Sequence, residues 1–110
     1  MTSVWFKDYT VEYLEGLRNA NMGEHIGIHF TEIGVDFLKG SMPVDNRTTQ
    51  PFGILHGGAS CVLSETLGSV AGWMTIDPDK YRAVGLELNI NHIRAVTQGS
   101  VIGTCTPLHV

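Results

Sequence analysis

One short segment, from Gln50 to Glu65, concentrates the residues that could do chemistry. Gln50 is followed by Pro-Phe-Gly-Ile-Leu and then by His56, Gly57 and Gly58, and Glu65 is the only formally charged residue of the apolar stretch 57–76. Unpaired amide hydrogens at a helix start stabilise negative charge, and glycine lets a carbonyl oxygen approach the backbone. Gln50 could add a side-chain donor to such an oxyanion site. A simple tight turn would explain the glycines equally well.

Glu65 is a candidate reacting carboxylate, but it cannot serve the same small group as Gly57 of its own helix. Eight residues at about 1.5 Å rise separate the two by about 12 Å along the axis. A second, antiparallel copy of the helix could approach Glu65, because it lies on a face of small residues, Cys61, Gly68 and Gly72. Joint action on one carbonyl therefore requires a dimer. The alternative is a buried structural carboxylate bonded to a loop or a histidine.

Two pairs of polar residues outside this segment also invite a chemical interpretation. His92 and Arg94 alternate onto one face near the end of a predicted strand, where they could bind phosphate, although a solvated strand end is the simpler explanation. His25 and His29 have no third metal ligand at a useful spacing. The sequence therefore predicts no metal site.

The elements before this segment are predicted from hydrophobic periodicity. Thr10 precedes an apolar rhythm that predicts a capped N-terminal helix ending near residues 21–23. Apolar residues alternate over 26–30, and a second extended run covers 36–44, so a hairpin of two strands is expected. The polar residues 45–53 predict a loop.

One long helix is predicted over residues 57–76, which lack proline and precede a stop at Asp77-Pro78. It is apolar or small on nearly all sides, which is typical of a buried helix. The face expected to pack on a sheet consists of Val62, Thr66, Val70 and Met74. Residues 84–96 and 100–108 predict two further strands. Strands around one central helix make an α+β domain with an antiparallel sheet.

Composition narrows the class of protein. The chain has 110 residues, which suits a single domain, and its formal net charge of −4 argues against a nucleic-acid binder. Its two cysteines are too few for a disulfide framework and indicate free thiols in a reducing compartment. Neither a signal peptide nor a membrane-spanning segment is evident. A cytoplasmic location is therefore expected.

Three blocks of sequence, residues 42–60, 63–72 and 84–92, resemble the hotdog-fold acyl-CoA thioesterases. They are most similar to the bacterial branch that includes the 1,4-dihydroxy-2-naphthoyl-CoA thioesterase of menaquinone synthesis and the enterobactin proofreading thioesterase. The resemblance covers essentially the whole chain. It implies a hotdog fold, an antiparallel sheet wrapped around one long central helix. It also implies hydrolysis of aryl- or acyl-CoA, with 1,4-dihydroxy-2-naphthoyl-CoA as one candidate substrate.

The resemblance further implies a composite site at the interface of a homodimer or tetramer, with no metal or redox cofactor. The residues expected at the thioester carbonyl and the attacking water are Gln50, His56, Gly57 and, from a partner subunit, Glu65 as nucleophile or general base. The residues expected to bind substrate are Ser69, near the acyl group or the attacking water, Val70, and His92 and Arg94, near the coenzyme A portion.

In one respect the chain departs from this family, whose members continue beyond Val110 with about two more strands inside the sheet. We therefore expect one hotdog domain over residues 1–110 that lacks those strands, and a truncated, inactive remnant is one alternative function. A non-catalytic acyl-CoA-binding domain is another. A hydratase of the same fold would need an Asp and His pair on the helix and its approach loop, which the sequence does not offer.

Overall fold

Three antiparallel strands and one long helix form the core of the domain in the computed structural model, which describes residues 2–90 and 94–110. In chain order the elements are α1 (Val11–Glu15), α2 (Met22–His25), β1 (His29–Ile33), β2 (Leu38–Pro43), α3 (Gly57–Met74) and β3 (Ser100–Cys105). The sheet order is β1-β2-β3. The predicted α+β class with an antiparallel sheet is confirmed.

The N-terminal helix begins as predicted and ends earlier. The Thr10 hydroxyl accepts a hydrogen bond from the Tyr13 N–H at 3.1 Å and caps α1, which ends at Glu15. The predicted end near residues 21–23 is wrong because the Asn21 side chain accepts from the Glu24 N–H at 3.3 Å and starts a second helix, α2. Residues 22–25 are therefore helical, and the first strand begins only at His29.

The hairpin of β1 and β2 is confirmed. Its turn is closed by the Gly34 N–H, which donates to the Phe37 carbonyl oxygen at 2.8 Å. A bulge lies at Thr31, because Phe30 pairs with Gly40 while Glu32 already pairs with Lys39. β3 pairs with the other edge of β2. It covers residues 100–105 and is therefore shorter than the strand predicted over 100–108.

The helix α3 packs on the sheet through one stripe of buried residues, Leu63, Leu67, Ala71 and Met74. Leu67 fits a notch made by Gly40 and Gly103, which face each other across β2 and β3. A Cβ atom on Gly40 would lie 2.8 Å from Leu67 Cδ2, and one on Gly103 would lie 2.6 Å from Leu67 Cδ1. The predicted sheet-facing set was wrong except for Met74, because the glycine notch receives the leucines.

Ser64, Glu65 and Gly68 are exposed on the side of α3 away from the sheet, so the prediction of a helix buried on nearly all sides is wrong. Residues 83–88 cross this side without forming a strand. Val84 is 86% exposed and Leu86 is 98% exposed. The described residues of the range 84–96 do not form the predicted strand, because no described residue hydrogen-bonds to the backbone of residues 82–90. Residues 91–93 lie outside the described part of the chain.

Two further sequence predictions can be compared with the structure. Within the described residues, no helix is long and apolar enough to cross a bilayer. Cys61 and Cys105 are both free and partly buried, as the low cysteine count predicted. Burial raises the pKa of the Cys105 thiol, because the thiolate would lose hydration.

Candidate active site

The loop between β2 and α3 is folded by its own backbone hydrogen bonds. The Gln50 N–H donates to the Ile54 carbonyl at 2.8 Å, and the Gly53 N–H donates back to the Gln50 carbonyl at 3.0 Å. Gly53 adopts a φ of 82°, which glycine reaches without strain. An isolated bridge between Thr49 and Leu55 closes the loop at its base. The loop is thus a compact turn that holds Gln50 next to the start of α3.

The orientation of the Gln50 side chain is set by a contact within the same turn. Its Oε1 atom accepts a hydrogen bond from the Phe52 N–H. The amide nitrogen, which is the donor, therefore remains available to a ligand. Gln50 lines a cleft of about 360 Å³ together with Gly57, Ser60 and Arg94.

His56 is the N-cap residue of α3. Its Nδ1 atom accepts a hydrogen bond from the Gly58 N–H at 2.7 Å, so the proton of the neutral ring resides on Nε2. Gly57 is the first residue of the helix, and no described residue accepts a hydrogen bond from its N–H. The free Gly57 N–H lies at the positive end of the helix dipole, which favours an oxyanion.

Glu65 is exposed, so the alternative of a buried structural carboxylate is wrong. The Ser69 hydroxyl donates to Glu65 Oε1 at 3.0 Å, which leaves Oε2 free of described hydrogen-bond partners. Both residues line a groove of about 220 Å³ with Glu87 from the crossing segment. Gly85 lies against this carboxylate, and a side chain at that position would require the end of Glu65 to move.

The remaining predicted substrate-binding residues lie in different places. Val70 lines a separate cavity of about 220 Å³ with Leu17, Phe30 and Thr66, between α3 and the N-terminal helices. Arg94 is exposed and shares the cleft of Gln50 and Gly57. His92 lies outside the described residues.

A single chain therefore carries two half-sites. Gln50, Gly57 and Arg94 share one cleft, whereas Glu65 and Ser69 share a groove farther along α3. The continuous helix from Gly57 to Met74 keeps the two apart, as the helical rise predicted. No group of His, Cys, Asp and Glu suited to a metal ion occurs among the residues that the structure describes.

Two residues of these clefts were missed by sequence reasoning. Ser60 lines the cleft of Gln50, Gly57 and Arg94, which we call the donor cleft. Its spacing of i+3 from Gly57 is a signal that could have identified it. Glu87 lines the groove of Glu65. No local pattern pointed to Glu87, because it reaches the groove only through the path of the crossing segment.

Comparison with known proteins gives consistent results. Residues 52–110 match the thioesterase superfamily. A proofreading thioesterase (EntH) of Cronobacter sakazakii is 50% identical over 107 residues, which cover 97% of this chain and 77% of that protein. The 1,4-dihydroxy-2-naphthoyl-CoA hydrolase of Escherichia coli is 48% identical over 107 residues, which cover 97% of this chain and 78% of that protein. The resemblance inferred from the sequence is confirmed.

Solved structures agree with this result. A mutant thioesterase of Pseudomonas aeruginosa superposes with a TM-score of 0.96 at 42% identity, and the match covers 98% of this chain and 78% of that one. The predicted hotdog fold is thereby confirmed.

Proposed function

Because the chain belongs to the thioesterase superfamily and is a thioester hydrolase, we propose that it acts on aryl- or acyl-CoA thioesters, with 1,4-dihydroxy-2-naphthoyl-CoA as a candidate. The names of its relatives support this substrate class. A 1,4-dihydroxy-2-naphthoyl-CoA substrate would assign the enzyme to menaquinone synthesis. The two free cysteines fit a reducing compartment, which supports the cytoplasm as its location.

The donor cleft supplies the groups that polarise the thioester carbonyl. In this proposal the carbonyl oxygen accepts hydrogen bonds from the Gly57 N–H and the Gln50 side-chain amide, which the Phe52 contact leaves free to donate. His56 holds the helix start in place through Gly58. Arg94 lines the same cleft, so its guanidinium would bind the coenzyme A portion of the substrate, a role we extend to His92 from the family resemblance.

The carboxylate comes from a second copy of the chain. Glu65 lies about 12 Å along the helix axis from Gly57, too far to reach the same carbonyl. Its side of α3 carries the small residues Gly68 and Gly72, and residues 83–88 lie over the same groove, so a second α3 would pack against both the glycines and this segment. An antiparallel pair of α3 helices would bring each Glu65 to the Gly57 end of its partner. The functional unit is then a dimer or a tetramer built from such dimers, with two composite sites in each dimer.

The chemistry of the composite site follows from the free oxygen of Glu65. Ser69 donates to Oε1, so Oε2 is the atom that meets the substrate or the attacking water. As general base, Glu65 takes a proton from water while the water oxygen bonds to the carbonyl carbon. The C–S bond then breaks, Glu65 returns the proton to the departing sulfur, and coenzyme A leaves as its free thiol. As nucleophile, Oε2 itself attacks the carbonyl carbon, the C–S bond breaks and coenzyme A leaves as a thiolate. Water then hydrolyses the mixed anhydride to the free acid and the Glu65 carboxylate. The geometry supports both roles.

A candidate cavity for the acyl group lies on another face of α3, separate from the groove of Glu65. Thr66 and Val70 follow Glu65 and Ser69 in sequence and turn toward the cavity of about 220 Å³ beneath the N-terminal helices. The walls include Leu17 and Phe30, so the space is mainly apolar. We assign this cavity to the aryl or alkyl part of the substrate.

The observation that carries the proposal is the separation of donors and carboxylate on one rigid helix, and complementation tests it. Gln50→Ala and Glu65→Gln chains with different tags are co-expressed, and coenzyme A release is measured with a thiol-trapping dye. Each mixed dimer would contain one intact composite site, so random assortment should restore about one quarter of wild-type activity. Each variant alone should lose about 10²-fold or more in kcat.

Chains that both carry Glu65→Gln, under the same two tags, are the control and should restore nothing. Inactive mixed dimers, shown to be folded and paired by tandem affinity purification, would refute the shared site. Full activity of Glu65→Gln alone would refute the role assigned to this carboxylate.

A further inference from the structure

Thr48 is the buried polar side chain of the described core, with 1% of its surface exposed. Burial of a hydroxyl is costly unless the group is hydrogen-bonded, so a threonine at such a position needs a partner for its oxygen. Its hydroxyl donates to the Pro43 carbonyl at 2.7 Å and accepts from the Asp45 N–H at 3.1 Å. The side chain is fully satisfied, and both of its partners are backbone atoms at the end of β2.

The backbone of Thr48 forms a hydrogen bond to the start of α3. The Thr48 carbonyl accepts a hydrogen bond from the His56 N–H at 2.8 Å, and the Thr48 N–H donates to the Asp45 carbonyl at 3.0 Å. One residue thus connects the end of the sheet to the residue that caps α3. Asp45 also forms a local ion pair within the loop, with Arg47 at 2.7 Å.

Both proposed carbonyl-polarising donors lie next to the ends of this connection in sequence. Gln50 follows Thr48 by two residues, and Gly57 follows His56 directly. We infer that Thr48 is a positioning residue for thioester hydrolysis, one that fixes Gln50 and the Gly57 N–H relative to each other by anchoring their loop to β2. The inference rests on the proposed donor roles of Gln50 and Gly57.

The effect of losing the anchor is expected in kcat. Thr48→Val keeps the shape of the side chain but leaves the Pro43 carbonyl and the Asp45 N–H without their buried partner. The loop would shift to regain hydrogen bonds, and a misplacement of about 1 Å at a reacting centre can lower the rate about 10²-fold. Thr48→Ser retains the hydroxyl and should keep most of the activity. The Thr49 hydroxyl has no described hydrogen bond, so Thr49→Val is the matched control in the same loop.

The test measures kcat, KM and a spectroscopic signature in one set of purified proteins. The expected result for Thr48→Val is a fall in kcat of about 10- to 100-fold with KM changed less than about threefold, at unchanged folded fraction. A ¹³C-labelled aryl ketone analogue of the thioester, with a methylene between sulfur and carbonyl, reports polarisation through its C=O stretch. Its shift to lower frequency on binding should shrink in Thr48→Val and persist in Thr48→Ser and Thr49→Val.

Four outcomes separate the possibilities. A Thr48→Val protein that keeps kcat and the carbonyl shift overturns the positioning role. A loss of activity that only follows the unfolded fraction, measured by circular dichroism and denaturation, also overturns it. Gln50→Ala is measured alongside, because retention of its kcat and carbonyl shift would refute the donor assignment itself. A loss in Gln50→Ala without one in Thr48→Val would refute the role of Thr48 alone.

Discussion

The packing of Leu67 into the glycine notch predicts that Gly103→Ala destabilises the domain. The added Cβ would lie 2.6 Å from Leu67 Cδ1, whereas ordinary contact begins at 3.4 Å. Leu67 is only 2% exposed, and Gly40 closes the other side of the notch, so its side chain cannot move aside. The helix must lift from the sheet by several tenths of an ångström or more. Overpacking of this kind costs about 1–3 kcal/mol.

Urea denaturation followed by circular dichroism measures this cost, with a lower midpoint expected at an unchanged slope. Leu67→Ala alone should cost about 2–5 kcal/mol through the cavity it leaves. Because the methyl group added by Gly103→Ala would fill part of that cavity, the double variant should be more stable than additivity predicts by about 1 kcal/mol. Thr104→Ala, on the exposed side of β3, should change stability by no more than about 0.5 kcal/mol. Strict additivity, or a Gly103→Ala variant as stable as the parent, would refute the notch.

Two further predictions concern pH and substrate size. Partial burial alone would raise the pKa of Glu15, but hydrogen bonds from His29 and the Phe30 N–H, with the charge of Arg18, outweigh it and lower the pKa below 4.5. The carboxylate therefore stabilises the fold fully above pH 4.5, and this contribution is lost as pH falls through the lowered value. Glu15→Gln should cost about 1–3 kcal/mol at pH 7 and less at pH 3.5, and a pH-independent difference would contradict this. Val70→Phe narrows the acyl cavity. It should reduce kcat/KM for naphthoyl-CoA relative to acetyl-CoA by about 10- to 200-fold. An unchanged ratio of the two kcat/KM values would place the acyl group elsewhere.

Local signals in the sequence predicted the elements better than their contacts. The start of α3 at residue 57 and the Thr10 cap were predicted correctly, because a cap acts within a few residues of the chain, whereas α3 ends at Met74 rather than at the predicted residue 76. The side of α3 that meets the sheet was not predicted. A helix apolar all round has no preferred face of its own, and Gly40 and Gly103, far away in sequence, decide which residues enter the notch.

The strand expected over residues 84–96 shows the same limit. Alternating residues favour an extended conformation, but a strand also needs hydrogen bonds from neighbouring strands, and none of the described residues supplies them to residues 82–90. For the site, the spacing of Gly57 and Glu65 was sufficient to predict their separation, because a continuous helix has a fixed rise. The grouping of Arg94 with Gln50 and Gly57 was not predicted from spacing, since it depends on how the chain returns to the loop.

The proposed division of the site has a consequence for how activity depends on assembly. In one chain, Glu65 and the donor cleft of Gln50 and Gly57 both face solvent. Hydrogen bonds to a developing oxyanion are strongest where water is excluded and the donors are already in place. Packing of a second α3 against the Gly68 and Gly72 side would supply the missing carboxylate and cover both half-sites in the same step. If the site is shared in this way, specific activity should fall on dilution wherever the dimer dissociates, while the fold of each chain, anchored by Leu67 in its own notch, persists.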